Sequence, residues 1–272
     1  MSLLLLKIII SAGLVLTITF IAERASTRLA GVLLGFPLGA GLSMLFFGIE
    51  QGASFAAKSA LWGIPGVLAS LTFALVYLLG VQYLNGKKTV TIICCVLLGM
   101  AGFFVASSLI YLLMPKESWL NIPLTIIGVL GFAFLFRKFP LNRISVKVPV
   151  TPLILSIRAG FTALVVLLIT GVAQWIGPQW SGLLSTFPVT LLPVMVILHH
   201  HYGTDSLFTL LRELPFGLLA IVVFDFAVAG SFPILDVAGG MLVSYGVAFL
   251  YLLIYELKLR SLLKQYFFAA AD

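Results

Sequence analysis

Long apolar runs follow one another along the 272-residue chain, and each is long enough to cross a membrane as an α-helix. The hydrocarbon layer of a bilayer is about 30 Å thick and takes about 20 helical residues to cross. No stretch shows the short alternating pattern that is typical of outer-membrane barrel strands. The sequence therefore predicts an all-α, polytopic membrane protein with about nine transmembrane helices, at residues 3–22, 29–49, 61–84, 90–114, 120–136, 153–176, 182–198, 207–230 and 232–257.

The composition excludes several other classes of protein. The chain is 61% hydrophobic and 9% charged, whereas soluble domains carry about 25% charged residues. The net charge of +7 is interpreted as loop charge that orients helices in the membrane, so the predicted partner is the lipid bilayer and not nucleic acid. Cys94 and Cys95 are adjacent in an apolar run and are interpreted as packing residues. No ligand spacing indicates a metal site, and no cofactor is predicted.

A segment near the start of the chain recurs in its second half. AGLVLTITFIAERASTRLAGVLLGFP, residues 12–37, aligns with AGFTALVVLLITGVAQWIGPQWSGLLSTFP, residues 159–188, and the connecting loops differ by four residues. Each copy is followed by two further apolar runs. The pattern predicts a first four-helix repeat (1–114), a linker with a fifth helix (115–152), and a second four-helix repeat with a cytoplasmic tail (153–272). Because five helices precede it, the second copy is predicted to be inverted in the membrane.

The distribution of basic residues predicts the orientation, because cytoplasmic loops collect Lys and Arg. One predicted side holds only Lys7, Lys58 and Lys116. If the fifth segment did not cross, the basic C-terminal tail would lie outside and this bias would largely collapse. We therefore predict an external N-terminus and a cytoplasmic C-terminus. The other 13 of the 16 basic residues lie on the predicted cytoplasmic side: Arg24, Arg28, Lys87, Lys88, Arg137, Lys138, Arg143, Lys147, Arg158, Arg212, Lys258, Arg260 and Lys264.

The second copy, AGFTALVVLLITGVAQWIGPQWSGLLSTFPVTLLPVMVILHHHYG, resembles the GlpM family of bacterial inner-membrane proteins. These are small four-helix chains with a similar Ala-Leu-Val-Val-Leu-Leu opening and a Gly-Leu…Phe-Pro second helix. The first copy, with GVLLGFP, is similar to a more diverged member. The resemblance implies a fused antiparallel pair in a bacterial or archaeal cytoplasmic (inner) membrane, from a family whose name is tied to exopolysaccharide production. It implies no catalytic residues.

Each copy contains a Phe-Pro pair near the middle of a predicted span, at Pro37 and Pro188. A proline within a helix lacks an N–H group and clashes with the carbonyl four residues earlier, so each helix is predicted to kink or break. In hydrocarbon, the freed carbonyls persist only where protein or a water-lined cavity satisfies them. Broken helices in inverted halves form the substrate sites of secondary transporters. The alternative is purely structural, since Gly and Pro are common in membrane helices and small residues help helices pack.

The two breaks differ in the groups that they offer. The second has hydroxyl groups predicted to donate hydrogen bonds to a solute, whereas the first has glycines, including Gly39 and Gly41, that leave room. The predicted site is therefore asymmetric. Its substrate-binding residues are Gly35, Phe36, Pro37, Ser185, Thr186, Phe187, Pro188 and Thr190.

Ionisable residues within the spans are further candidates. Asp225 is isolated in an apolar run, where burial of a carboxylate costs about 3 kcal/mol. It is therefore predicted to carry a coupling proton. The alternative is a structural acid that is hydrogen-bonded to a neighbouring helix. Glu213 points away from the adjacent Arg212 and is the second proton-coupling candidate. Arg158 is a candidate anion contact, with snorkelling to lipid headgroups as its alternative. Residues 199–201, three histidines, are predicted to form a titrating interfacial cap and not a metal site.

These features favour a gradient-driven secondary transporter of a small molecule or ion, with proton coupling as one option. No G-x-x-x-x-G-K-[ST] motif indicates ATP binding, and neither H-E-x-x-H nor G-x-S-x-G indicates an enzyme. The alternatives are a small-ion channel, because fused 4+1+4 arrangements occur among fluoride channels, and an accessory membrane subunit. The chain is predicted either to act alone or to form a homodimer.

Overall fold

The computed structural model describes residues 5, 7–14, 17, 36–84, 86–115, 118–139 and 151–262. Every regular element in these ranges is helical, which confirms the all-α fold class. Residues 7–14 form an N-terminal helical segment. The later helices are α1 (Leu38–Gln51), α2 (Ala53–Tyr83), α3 (Lys88–Leu113), α4 (Ser118–Phe136), α5 (Pro152–Ser185), α6 (Leu191–Tyr202) and α7 (Thr204–Ile254), and α7 continues into a π-helical turn at Tyr255–Leu259.

The protein is an integral membrane protein. Four segments are long and apolar enough to cross a bilayer, and α4 contains a shorter apolar helix. Helices suit this solvent because their backbone groups bond within the segment. The long segments are Ala53–Tyr83, Lys88–Leu113, Leu153–Ser185 and Leu210–Leu262, and the shorter helix is Leu120–Phe136.

Helix α5 turns back on itself at Gly177, which has φ 74° and ψ 174°. Glycine adopts this conformation without a Cβ clash, and Pro178 then begins the returning leg. The Ser181 hydroxyl lies 3.4 Å from the carbonyl oxygen of Ala173, to which it donates across the turn. The predicted span 153–176 therefore corresponds to the first leg, whereas the predicted span 182–198 covers the end of the returning leg, the break that follows Ser185, and most of α6.

Helix α7 makes a similar reversal at Asp236, which has φ 56° and ψ −176°. The Ser231 hydroxyl lies 3.3 Å from that of Ser244. Farther from the turn, the Tyr251 hydroxyl donates to the Phe216 carbonyl at 2.8 Å. These contacts pair residues 204–235, the first leg, with the second leg that follows Asp236. The predicted spans 207–230 and 232–257 are thus joined without an intervening loop.

Helix α2 lies at the centre of the bundle and packs against α1, α3, α4, α5 and α7. It begins at Ala53, earlier than the predicted start at residue 61, because the helix extends through the polar Lys58 region beyond the apolar run. Small residues allow close helix crossings, the usual way in which membrane helices pack. A Cβ on Gly182 of α5 would overlap the Ser59 carbonyl oxygen of α2. The backbones of α2 and α5 are therefore in direct contact there.

Candidate functional site

A cavity of about 30 Å³ lies between the two Phe-Pro breaks, with room for about two water molecules. Two further elements complete its wall: Ser70 of α2, and Leu218 and Ile221 of α7. The chain around the breaks contributes Phe36, Pro37, Leu38, Gly39, Ala40, Ser185, Thr186, Phe187, Pro188, Val189, Thr190 and Leu191. The structure thus brings together every predicted substrate-binding residue except Gly35, which lies outside the described residues.

At the first Phe-Pro pair, Pro37 has φ −75° and ψ 62° and α1 begins at the next residue, Leu38, while residues 18–35 lie outside the described part of the chain. The Leu38 amide donates to the Phe36 carbonyl at 2.8 Å, and the Gly41 amide donates to the Pro37 carbonyl at 2.9 Å. A Cβ on Gly39 would overlap the side chain of Val189 from the second break. Gly39 therefore lets the two breaks touch.

The space beside the glycines of the first break is taken by protein side chains. Val189 fills the space at Gly39, and the Tyr245 hydroxyl fills the space at Gly41. The Tyr245 ring also stacks on Phe36, with ring centroids 4.9 Å apart. The predicted room at Gly39 and Gly41 is thus already occupied in this conformation.

The second break is held by bonds from its own hydroxyl groups. The Ser185 hydroxyl donates to the Gly182 carbonyl at 2.7 Å, and the Thr186 hydroxyl donates to the Leu183 carbonyl at 2.7 Å. These protons are used within the protein, so Ser185 and Thr186 offer a solute acceptor lone pairs in this conformation. This differs from the predicted role of both hydroxyls as donors.

The carbonyl groups that lose their helical hydrogen bonds at the Pro188 break accept hydrogen bonds from other groups. The Leu184 oxygen accepts from the Phe187 amide at 2.9 Å, and the Ser70 hydroxyl of α2 donates to the Thr186 oxygen. Thr190 is half-buried and stands at the N-cap of α6 without a side-chain capping bond. Its hydroxyl is therefore the one most readily available to a solute.

The described wall of the cavity is uncharged. This wall, as far as the structure describes it, consists of hydroxyl, aliphatic, aromatic and main-chain groups and holds no ionised side chain. Both α1 and α6 begin at the cavity, so their N-terminal partial charges face it. Within the described ranges, no group of three or more His, Cys, Asp and Glu residues is placed to hold a metal.

Asp225 lies deep in the bundle, next to the cavity but not in its wall. Its side chain is 0% exposed, and neither carboxyl oxygen has a hydrogen-bond partner among the described residues. A Cβ on Gly63 of α2 would overlap its Oδ2 atom. Asp225 follows Ile221 by four residues and Leu218 by seven, so all three share one face of α7. The unbonded acid therefore packs on α2 along the surface that closes the cavity.

The structure does not bring the other two ionisable candidates to the cavity. Glu213 forms an ion pair with Arg260, and both side chains are 40% exposed. Glu213 precedes Asp225 by twelve residues, about 18 Å along a helix. Arg158 is half-buried on the first leg of α5 and is not part of the cavity wall.

A buried bond between Tyr77 and His199 was not predicted. The Tyr77 hydroxyl lies 3.0 Å from His199 Nδ1, and His199 is 6% exposed. His200 and the residue after it are exposed, so His199 is a core contact between α2 and α6 and not part of an interfacial cap. The sequence does contain a pattern that indicates the burial of His199: its helical spacing from Leu192 and Met195, which are also buried.

Lys7 is buried and joins three parts of the chain. Its Nζ atom lies 2.5 Å from Glu50 Oε1 of α1 and donates to the Thr170 hydroxyl of α5 at 2.6 Å. The sequence placed Lys7 with the few basic residues on the external side but indicated no partner. A buried ammonium group is stable only when it is paired and hydrogen-bonded in this way.

His199 makes stability depend on pH. Burial, followed by the charges of Lys88 and His200, lowers the pKa of His199 below its ordinary value. The unfolded chain then binds this proton more readily, so we expect stability to fall as pH falls through about 6.5. Thermal unfolding in detergent, at pH values above and below about 6.5, measures this loss of stability. His199→Gln should flatten the profile, whereas His200→Gln at the exposed neighbour should not. Equal flattening by both variants would contradict the assignment.

The described helices define an all-helical membrane protein with a small cavity between its two Phe-Pro segments. No family model, no curated protein and no solved structure matches the chain. The resemblance to the GlpM family therefore depends on the sequence motifs alone, and the functional interpretation depends on the cavity and its buried polar neighbours.

Proposed function

We propose that the protein is a gradient-driven secondary transporter of a small molecule or ion, and that the cavity is its binding site. The observation that carries the proposal is that two Phe-Pro breaks, from matching positions of a sequence repeat, line one cavity. Paired helix breaks at the interface of inverted repeats form substrate sites in transporters. The proposed binding residues are Phe36, Pro37, Ser185, Thr186, Phe187, Pro188 and Thr190, together with Gly35.

The proposed arrangement in the membrane is the 4+1+4 inverted repeat with nine spans, an external N-terminus and a cytoplasmic C-terminus. Its setting is a bacterial or archaeal cytoplasmic membrane, and its origin is a fusion of two GlpM-like units. The hairpins of the second half support this count, because α7 supplies two antiparallel legs and the short returning leg of α5 is continued beyond the break by α6. The half-helix α1 follows Pro37 just as α6 follows the Pro188 break.

The size of the cavity favours a transporter over a channel. About 30 Å³ holds about two water molecules, and Val189 of the second break packs directly on Gly39 beside the cavity. A larger solute enters only if the helices around the cavity move. Such movement of one half against the other is how inverted-repeat transporters expose a fixed site to alternate sides.

Asp225 is the proposed coupling group. A carboxylate without any bonding partner is very unfavourable in hydrocarbon, and a protonated carboxyl group is much less so. The fully buried and unbonded Asp225 is therefore protonated in the closed conformation of the proposed cycle. Glu213 is already neutralised by Arg260, so the proposal assigns coupling to Asp225 alone.

Proteoliposomes that contain a pH-sensitive dye test the proposal. Alkali-metal salts, halides, ammonium, sugars and amino acids are added one class at a time under an imposed pH gradient. We expect one class to produce a saturable change in lumenal pH that shows counterflow and is lost in Asp225→Asn. Gly39→Ala should slow this flux about tenfold, because overpacking of about 1.4 kcal/mol against Val189 distorts the cavity.

Gly160→Ala is the matched control, since a Cβ there meets nothing within 4 Å. Flux that does not saturate and shows no counterflow would identify a channel instead. Absence of flux for every class, with folded protein in the vesicles, would overturn the transport proposal and leave the accessory-subunit hypothesis.

A further inference from the structure

The contact between Asp225 and Gly63 links the buried acid to the cavity. Gly63 and Ser70 are seven residues apart on α2, and Asp225 and Leu218 are seven residues apart on α7, so each pair lies on one helix face about 10 Å apart. One end of this shared surface is the Asp225 contact, and the other end is the cavity wall. A movement that separates α2 from the first leg of α7 therefore changes both the Asp225–Gly63 contact and the cavity wall.

Asp225 can contact α2 because Gly63 has no side chain. A Cβ at this position would overlap Asp225 Oδ2 and would lie 3.0 Å from its Cγ atom. The nearby Gly66 also faces a polar group, since a Cβ there would lie 2.7 Å from the Thr186 hydroxyl oxygen. The same face of α2 therefore receives the acid at Gly63, the second break at Gly66, and the cavity at Ser70.

No charged group neutralises Asp225 in the part of the chain that the structure describes. Neither carboxyl oxygen receives a hydrogen bond or ion pair from α1, α2, α5 or the second leg of α7. Ser59, one turn before Gly63, has a buried hydroxyl that bonds to no group of the described ranges. Tyr245 of the second leg packs on Phe224, beside Asp225, with ring centroids 4.9 Å apart, and its hydroxyl also lacks a partner.

We infer that Gly63 is a positioning residue for Asp225, and that loss of the Asp225 proton opens the cavity by separating α2 from the first leg of α7. An ionised carboxylate must gain water or a cation, and the closed contact has room for neither. Separation admits water to Asp225 and moves Leu218 and Ile221 away from Ser70 and the two breaks. Proton release and exposure of the cavity are then one movement. This inference deepens the proposed function and depends on it for its role in transport.

Cysteine labelling tests the movement without knowledge of the solute. The native Cys94 and Cys95 are replaced by serine and alanine, and Thr190→Cys places a thiol in the cavity wall. N-ethylmaleimide is the probe, applied to the full chain in liposomes at a series of pH values from about pH 6 to about pH 9. Lys87→Cys provides the reference rate, because Lys87 is exposed between α2 and α3, outside both candidate spans, and normalisation removes the intrinsic pH dependence of thiols.

We expect the normalised labelling rate at Thr190→Cys to rise about tenfold over this range, as a population shift of about 1.4 kcal/mol toward the open form produces. Asp225→Asn, a neutral isostere of the protonated acid, should keep the rate low at every pH. Gly63→Ala should move the midpoint of the rise to lower pH, because the closed contact no longer fits. Gly131→Ala, where a Cβ meets nothing within 4 Å, should leave the profile unchanged.

A flat normalised profile in the parent, or an unaltered rise in Asp225→Asn, would overturn the inference. If Gly63→Ala does not fold, the Asp225→Asn comparison still decides the outcome. Failure here is distinguishable from failure of the proposed function. Solute flux with a flat labelling profile contradicts only the coupling, whereas a pH-dependent profile without flux of any solute contradicts only the transport.

Discussion

Replacement of Gly182 with alanine is expected to lower the free energy of unfolding by about 3 kcal/mol. The added Cβ would overlap the Ser59 carbonyl oxygen and would lie 2.9 Å from both the Ser59 carbonyl carbon and the Trp62 Cβ. Two of these atoms are main-chain atoms of α2, so no rotation of a side chain relieves the clash. Helices α2 and α5 must separate, and their dispersion contacts weaken along the whole crossing.

Unfolding by SDS in mixed micelles, followed by circular dichroism, measures this loss. Gly171→Ala is the matched control on the same helix, because a Cβ there meets nothing within 4 Å. That substitution should stabilise the protein by up to about 1 kcal/mol, since alanine favours the helix more than glycine does. Equal stability of the two variants would show that α2 and α5 do not cross at Gly182.

Arg212→Met is expected to destabilise the protein by about 3 kcal/mol, because hydrogen bonds to charged groups contribute about 1.5 to 3 kcal/mol each. Arg212 is 4% exposed. Its Nη2 donates to the Arg137 carbonyl at 2.8 Å, and its Nε donates to the Phe139 carbonyl at 3.0 Å. Both carbonyls follow the last turn of α4, where the helix dipole favours a cation. Methionine leaves both oxygens without a bond from this side chain.

The same denaturation measurement tests Arg212→Met against Arg260→Met. Arg260 pairs with Glu213 and Glu256 but is 40% exposed, and exposed ion pairs contribute at most about 1 kcal/mol. Arg212→Lys should fall between wild type and Arg212→Met, because one ammonium group cannot reproduce the planar arrangement of guanidinium donors. An Arg212→Met variant as stable as Arg260→Met would contradict the role of Arg212 at the end of α4.

The sequence predicted the helical membrane fold and the break at Pro188, because both signals are local, whereas the residues on the N-terminal side of Pro37 lie outside the described part of the chain. Apolar length specifies a span, and a proline at Pro37 or Pro188 disrupts a helix in almost any surroundings. Helix α1 begins directly after Pro37, and the chain between Ser185 and Leu191 is not helical. The count of nine spans and the orientation stay predictions.

The arrangement around the cavity could not be predicted in the same way, because it depends on which helix faces meet. Ser70 and Gly63 belong to α2, a helix that is apolar on all sides, so periodicity does not indicate the face that turns toward the breaks. The hydroxyl of Ser185 was expected to point at a solute, but the carbonyl of its own turn is nearer. The partners of Glu213 and His199, which are Arg260 and Tyr77, are also determined by tertiary packing and not by local sequence.

The Lys7 contacts bear on the proposed duplication, because they join the two predicted halves unequally. An ammonium group from the first repeat bonds both to Glu50 of its own half and to Thr170 of the other half. Two identical subunits would each have to retain both sets of partners, whereas a single chain is free to specialise each copy. If the two halves arose by duplication, as proposed, then a bond of this unequal kind prevents either half from being replaced by a second copy of the other.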